Sequence, residues 1–156
     1  FAQHETQETT MFNQAFGLTM TRIALGVILF AHGYFLKVET FTIEGTVGFF
    51  ESIGLPAIAA YLVIAGEILG GIALILGAFT RLAAWLSLPI LLGATWMHLG
   101  NNWVFSAEGG GWEFPVLLVA LAIAVGLGGA GKYAIDNLEW MKHVHFTQST
   151  AEQATA

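Results

Sequence analysis

Residues 56–79 read PAIAAYLVIAGEILGGIALILGAF, and this run constrains the fold more than any other. At about 1.5 Å per residue, about 20 apolar residues cross a hydrocarbon core of ~30 Å as a helix. One carboxylate, Glu67, stands near the middle. An ionisable group at mid-membrane costs roughly 2.5–3.5 kcal/mol on insertion scales, so such a group faces protein or a wet cavity. The stretch therefore predicts a membrane helix whose Glu67 points inward.

The rest of the chain agrees. Of 156 residues, 56% are hydrophobic and 10% charged, with a mean hydropathy of +0.70. An ordinary soluble domain is roughly 25% charged. The length fits one domain. There is no cysteine, which excludes disulfides, iron–sulfur clusters and thiolate metal sites. The net charge of −6 without a basic patch argues against nucleic acid. The first apolar stretch lacks a basic leader and a small-residue cleavage site, so it reads as a retained helix.

The pattern predicts an all-α fold, an integral membrane four-helix bundle. Residues 1–12 are a polar, frayed lead. Helix one covers 14–36. Residues 38–55 are too polar to span. They place Phe41, Ile43, Val47, Phe50 and Ile53 against Glu44 and Glu51, which suits a short interfacial helix between helices one and two. Helix two covers 56–77, and the short link 78–81 makes a hairpin with helix three, 82–99, which contains Pro89. After a Gly-rich loop, 100–112, helix four covers 113–127. The membrane domain is residues 13–132. Residues 133–156 are an amphipathic segment and a disordered tail. Four spans put both termini on one side. That side holds Arg22, Arg81, Lys132 and Lys142, while the other has Lys37 with Glu39, Glu44, Glu51 and Glu108. The positive-inside rule makes the termini cytoplasmic.

Gly70 and Gly71 follow Glu67 by three and four residues, and Gly66 and Gly70 form a small-xxx-small pair. Arg22, Gly26 and Gly33 line one stripe of helix one. Counted from the inner surface, Arg22 and Glu67 differ in depth by about one turn, ~5 Å. An Arg22–Glu67 ion pair is expected, serving either as a structural lock or as a proton or ligand site. A second polar group, His32, Lys37, His98 and Glu113, closes the other helix ends, with Asn101 and Asn102 nearby. It suits a divalent metal, a quinone carbonyl or simple headgroup anchoring. No HxxxH spacing supports metal, and no metal site is assigned. His143 and His145 form an HxH pair on a polar segment, which is most often solvated. No opposed mid-depth histidines offer a haem site.

The run RIALGVILFAHGYFLK (22–37) resembles the opening helix of the DoxX family. GTVGFFESIGLP (45–56), GEILGGIALILGAFTRLAAW (66–85), GGGWEFPVLLVALAIAV (109–125) and GAGKYAID (129–136) resemble its later segments. The resemblance covers roughly residues 18–136. It implies a small four-helix protein of the bacterial inner membrane. It also implies an association with quinone-linked oxidoreductases, a membrane subunit of thiosulfate:quinone oxidoreductase among them, or with oxidative-stress complexes. Arg22, His32, Lys37, Glu67, Arg81, His98, Glu113 and Asp136 stand at its characteristic positions.

The leading expectation is an auxiliary membrane subunit of a quinone-linked oxidoreductase complex. It would dock partner subunits among the lipids and contact quinone, with no cofactor of its own and at most a non-redox-centre share in the enzyme. The alternatives are a purely structural or assembly subunit, and a small carrier. Four short helices without an inverted repeat leave the carrier little room for alternating access.

Overall fold

The structure, a computed structural model, describes residues 2–141, with side chains from residue 7 onward. His143 and His145 lie outside the described residues, as does the tail that follows them. Among the described residues the fold is entirely helical. Helix α1 (Ala2–Ala31) continues into a π-helical segment (His32–Thr40). Helices α2 (Ile43–Ser52), α3 (Ala57–Leu76), α4 (Thr80–His98) and α5 (Glu113–Gly128) follow, and a 3-10 turn (Ile135–Asn137) comes last. Two helices are long and apolar enough to cross a membrane: 7–40, which runs through the π segment, and α3.

Helix α1 starts well before the expected residue 14. Glutamine, glutamate and threonine in the lead do not forbid helix, and adding a turn to an existing helix is cheap once the nucleus is formed. The other end departs from α geometry. Over nine residues the bonds run from i to i−5, ending with Phe41 N–H donating to Leu36 O at 2.9 Å. Such stretches are rare and usually a single turn.

The long helices contact one another in a closed ring. Helix α1 packs on α3 and α5, and α4 packs on the same two; α2 and the π segment lie on α3. Glycine permits the closest approach. A Cβ on Gly71 would lie 2.6 Å from Phe30 N, and one on Gly26 would lie 2.8 Å from Gly71 O. The core is thin: Leu25, Leu29, Leu74, Ala83, Ala84, Leu91, Leu118, Ala122 and Val125. Larger apolar side chains point outward, among them Leu62, Leu69, Leu86 and Leu127, each more than 60% exposed. Arg22 is fully buried and Glu67 nearly so. An apolar exterior around buried charge is the reverse of a water-soluble protein, where charged residues are almost never fully buried unless paired.

The α3–α4 hairpin closes on a Schellman turn. Gly77 takes the left-handed conformation (φ 68°), and Ala78 N–H reaches back to Ala73 O at 2.9 Å. Residues 130–137 fold onto this turn. Asp136 Oδ1 and Oδ2 accept from Phe79 N–H and Thr80 N–H at 2.7 and 2.8 Å, so a distant carboxylate caps α4. Lys132 N–H donates to Thr19 Oγ1 at 2.7 Å, which ties the same segment to α1.

Candidate functional site

Arg22 and Glu67 do not meet. Gly26 faces Gly71, and Gly33 faces the Cβ of Glu67, because α1 and α3 run antiparallel. That puts Glu67 level with Gly33, about 16 Å of helix beyond Arg22. The expected depth match failed because it set the inner ends of both helices at one level. Arg22 is in fact level with the end of α3. Its Nη1 donates to Leu74 O (2.6 Å) and Ile75 O (2.8 Å), its Nε to Ala130 O (2.9 Å), and its Nη2 to Lys132 O and Tyr133 O (3.3 Å each). The guanidinium satisfies carbonyls that the end of α3 leaves without helical partners, where the helix dipole also favours a cation. Arg81 does the same for α5, donating to Gly126 O and Leu127 O at 3.0 and 2.8 Å.

Glu67 pairs instead with Lys37. Lys37 Nζ donates to both carboxylate oxygens, at 2.8 and 2.7 Å. The π segment carries this lysine to α3: Gly33 lets the segment lie against Glu67 and Ile68, and Lys37 is four residues further on the same face. Thr46 of α2 pins the segment from the other side, its hydroxyl donating to Lys37 O at 3.0 Å. The ion pair is partly buried, with Lys37 the wetter partner.

His32 lies close enough to Glu67 to interact with it electrostatically. Its Nδ1 bonds to Ile28 O at 2.9 Å, and its ring stacks on Phe114 at 6.3 Å between centroids. Beside it a shallow groove of about 250 Å³ is lined by Ala31, His32, Phe35, Leu36 and Thr40. His98 and Glu113 belong to a different construction. His98 Nδ1 bonds to Ala94 O at 2.7 Å, and its ring edge lies against Gly110. Glu113 Oε1 accepts from Phe105 N–H at 2.7 Å, and Asn101 donates to Gly109 O and Gly110 O. These residues shape the 99–112 loop. The expected polar group thus divides: His32 and Lys37 join Glu67, while His98 and Glu113 brace the loop. Among the described residues no three His, Asp or Glu side chains converge as metal ligands.

Sequence reasoning missed Lys37 as the partner of Glu67, and it missed Thr40 and Phe114 beside His32. The facing glycines carried the signal: pairing Gly33 with Glu67 rather than counting from the membrane surface would have set the level.

A family model described as DoxX matches residues 17–100. A Bacillus subtilis (strain 168) protein named "Putative oxidoreductase CatD" is 35% identical over 121 residues, covering 77% of this chain and 84% of that protein. No solved structure matches.

Proposed function

The chain belongs to the DoxX family, and from that premise we propose that it is a membrane subunit of a quinone-linked oxidoreductase complex. It docks partner subunits and offers quinone a contact surface, while the electron-carrying centres sit on other chains. The name of the Bacillus relative supports the oxidoreductase link. In this reading α1 with its π segment, α3, α4 and α5 each cross a bacterial inner membrane, and α2 lies in the interface. The outward apolar side chains support that placement. At 16 residues α5 spans about 24 Å, which local thinning of the bilayer accommodates. Both termini are cytoplasmic, following the Arg and Lys bias between the two ends.

One observation carries the quinone contact: the Lys37–Glu67 pair beside His32 and its groove, on a nine-residue π segment. Intramembrane ion pairs and π-helical stretches both concentrate at functional sites. The test is the double variant K37M/E67Q, which removes both charges and leaves neither partner stranded. The complex is extracted gently from its native membrane, its subunits are weighed by native mass spectrometry, and quinone turnover is measured per assembled complex. Turnover should fall at least about tenfold, the equivalent of ~1.4 kcal/mol in the barrier. Unchanged turnover per complex, with only the amount of complex reduced, would transfer the pair to a purely structural or assembly role.

A further inference from the structure

The groove beside the π segment has a one-sided hydrogen-bonding character. Two polar side chains line it, His32 and Thr40. Both have already committed their hydrogens to the main chain. A carbonyl oxygen can only accept, so the bond between His32 Nδ1 and Ile28 O places the ring hydrogen on Nδ1. In the neutral imidazole Nε2 is then a bare acceptor. Among the described residues Nε2 has no hydrogen-bond partner. Thr40 donates its hydroxyl hydrogen to Phe35 O at 2.7 Å, which leaves lone pairs on Oγ1. Lys37 could have supplied a donor, but it is held on Glu67 and does not line the groove. The remaining walls, Ala31, Phe35 and Leu36, are apolar. A ligand seated here must therefore bring its own O–H or N–H groups. A ring carbonyl would lose its hydrogen bonds to water and find no donor in exchange, and an unsatisfied polar group costs about 1–3 kcal/mol.

We propose that this groove binds the hydroquinone form of a membrane quinone in preference to the oxidised form, with its hydroxyls donating to His32 Nε2 and Thr40 Oγ1. The proposal rests on the quinone reading above and adds the redox state that the site selects. The volume of about 250 Å³ is slightly below the usual ~300–1,000 Å³ of ligand pockets, which fits a single ring head with its tail left in lipid. His32 also stacks on Phe114, so its ring is held in place before the ligand arrives. Only binding is assigned here.

The experiment uses the full chain in nanodiscs. A decyl-tailed benzohydroquinone, kept reduced anaerobically, and the matching benzoquinone are partitioned between loaded and empty discs. The wild type should retain the hydroquinone at least about tenfold more tightly, which is ~1.4 kcal/mol. His32→Phe keeps an aromatic stack on Phe114 but removes the acceptor, and it should abolish the preference. Thr40→Val should weaken hydroquinone binding about three- to fivefold. Melting curves of both variants establish that they remain folded. Equal or tighter retention of the benzoquinone, lost in His32→Phe, would overturn the hydroquinone preference and leave the quinone reading standing. Retention of hydroquinone that neither substitution changes would overturn the assignment of this groove. If neither form is retained above empty discs, the quinone contact itself falls, and the groove is a lipid-facing surface only.

Discussion

Two buried charges sit at opposite ends of the α1–α3 contact, and each is solved differently. Arg22 is surrounded by five carbonyl oxygens drawn from α3 and from residues 130–133. A planar fork with five donors suits that arrangement, and an ammonium with three does not. Arg22→Lys should therefore destabilise the protein by about 3 kcal/mol or more, since carbonyls are stranded in a dry site. Lys37 and Glu67 answer each other, so their substitutions should couple. Lys37→Met leaves a lone buried carboxylate and should cost about 3–5 kcal/mol, while K37M/E67Q should recover most of that loss. Thermal unfolding of the four proteins in detergent gives the cycle; additive losses would refute the coupling. That both charges face protein was legible from the sequence, because lipid offers them no partner. Which partner each takes was not legible. It depends on the stagger of α1 against α3, and the intervening α2 hides that stagger.

Elements show the same division between what a pattern fixes and what packing fixes. The existence of every long helix followed from its apolar run, and the end of α3 from Gly77. The π segment left no mark in hydropathy, since a wider turn uses the same residues. The glycine face was readable in outline only. Gly71 lies in the α1 contact, but its neighbour Gly70 meets nothing within 4 Å of a built Cβ. Gly71→Leu should then disrupt the α1–α3 pair and lower the melting temperature by at least about 10 °C, on a scale where 1 kcal/mol moves a small domain by roughly 4–8 °C. Gly70→Leu should leave it within a few degrees of wild type. Equal behaviour of the two variants would mean that helix propensity, not close approach, governs the site.

At the scale of the whole molecule, the outward leucines and inward charges describe a protein made for lipid. The absence of cysteine in the native chain makes this simple to map with single introduced thiols. Leu69→Cys should resist a water-soluble maleimide in intact membranes and react after solubilisation. Glu108→Cys and Tyr133→Cys should label from opposite faces of a sealed vesicle, Tyr133→Cys from the cytoplasmic one. Labelling of both from one face would refute the four-span topology. The segment 130–137 has a further consequence, in the order of synthesis. Arg22 leaves the ribosome early, and the hairpin that supplies Leu74 O and Ile75 O follows. The carbonyls of Ala130, Lys132 and Tyr133 and the capping carboxylate of Asp136 come only near the end. Until then the nascent chain carries an under-solvated cation and an uncapped helix start in the bilayer. The last residues translated act as the bolt of the door, and a chain that stalls before them is marked as unfinished by its own exposed polar groups.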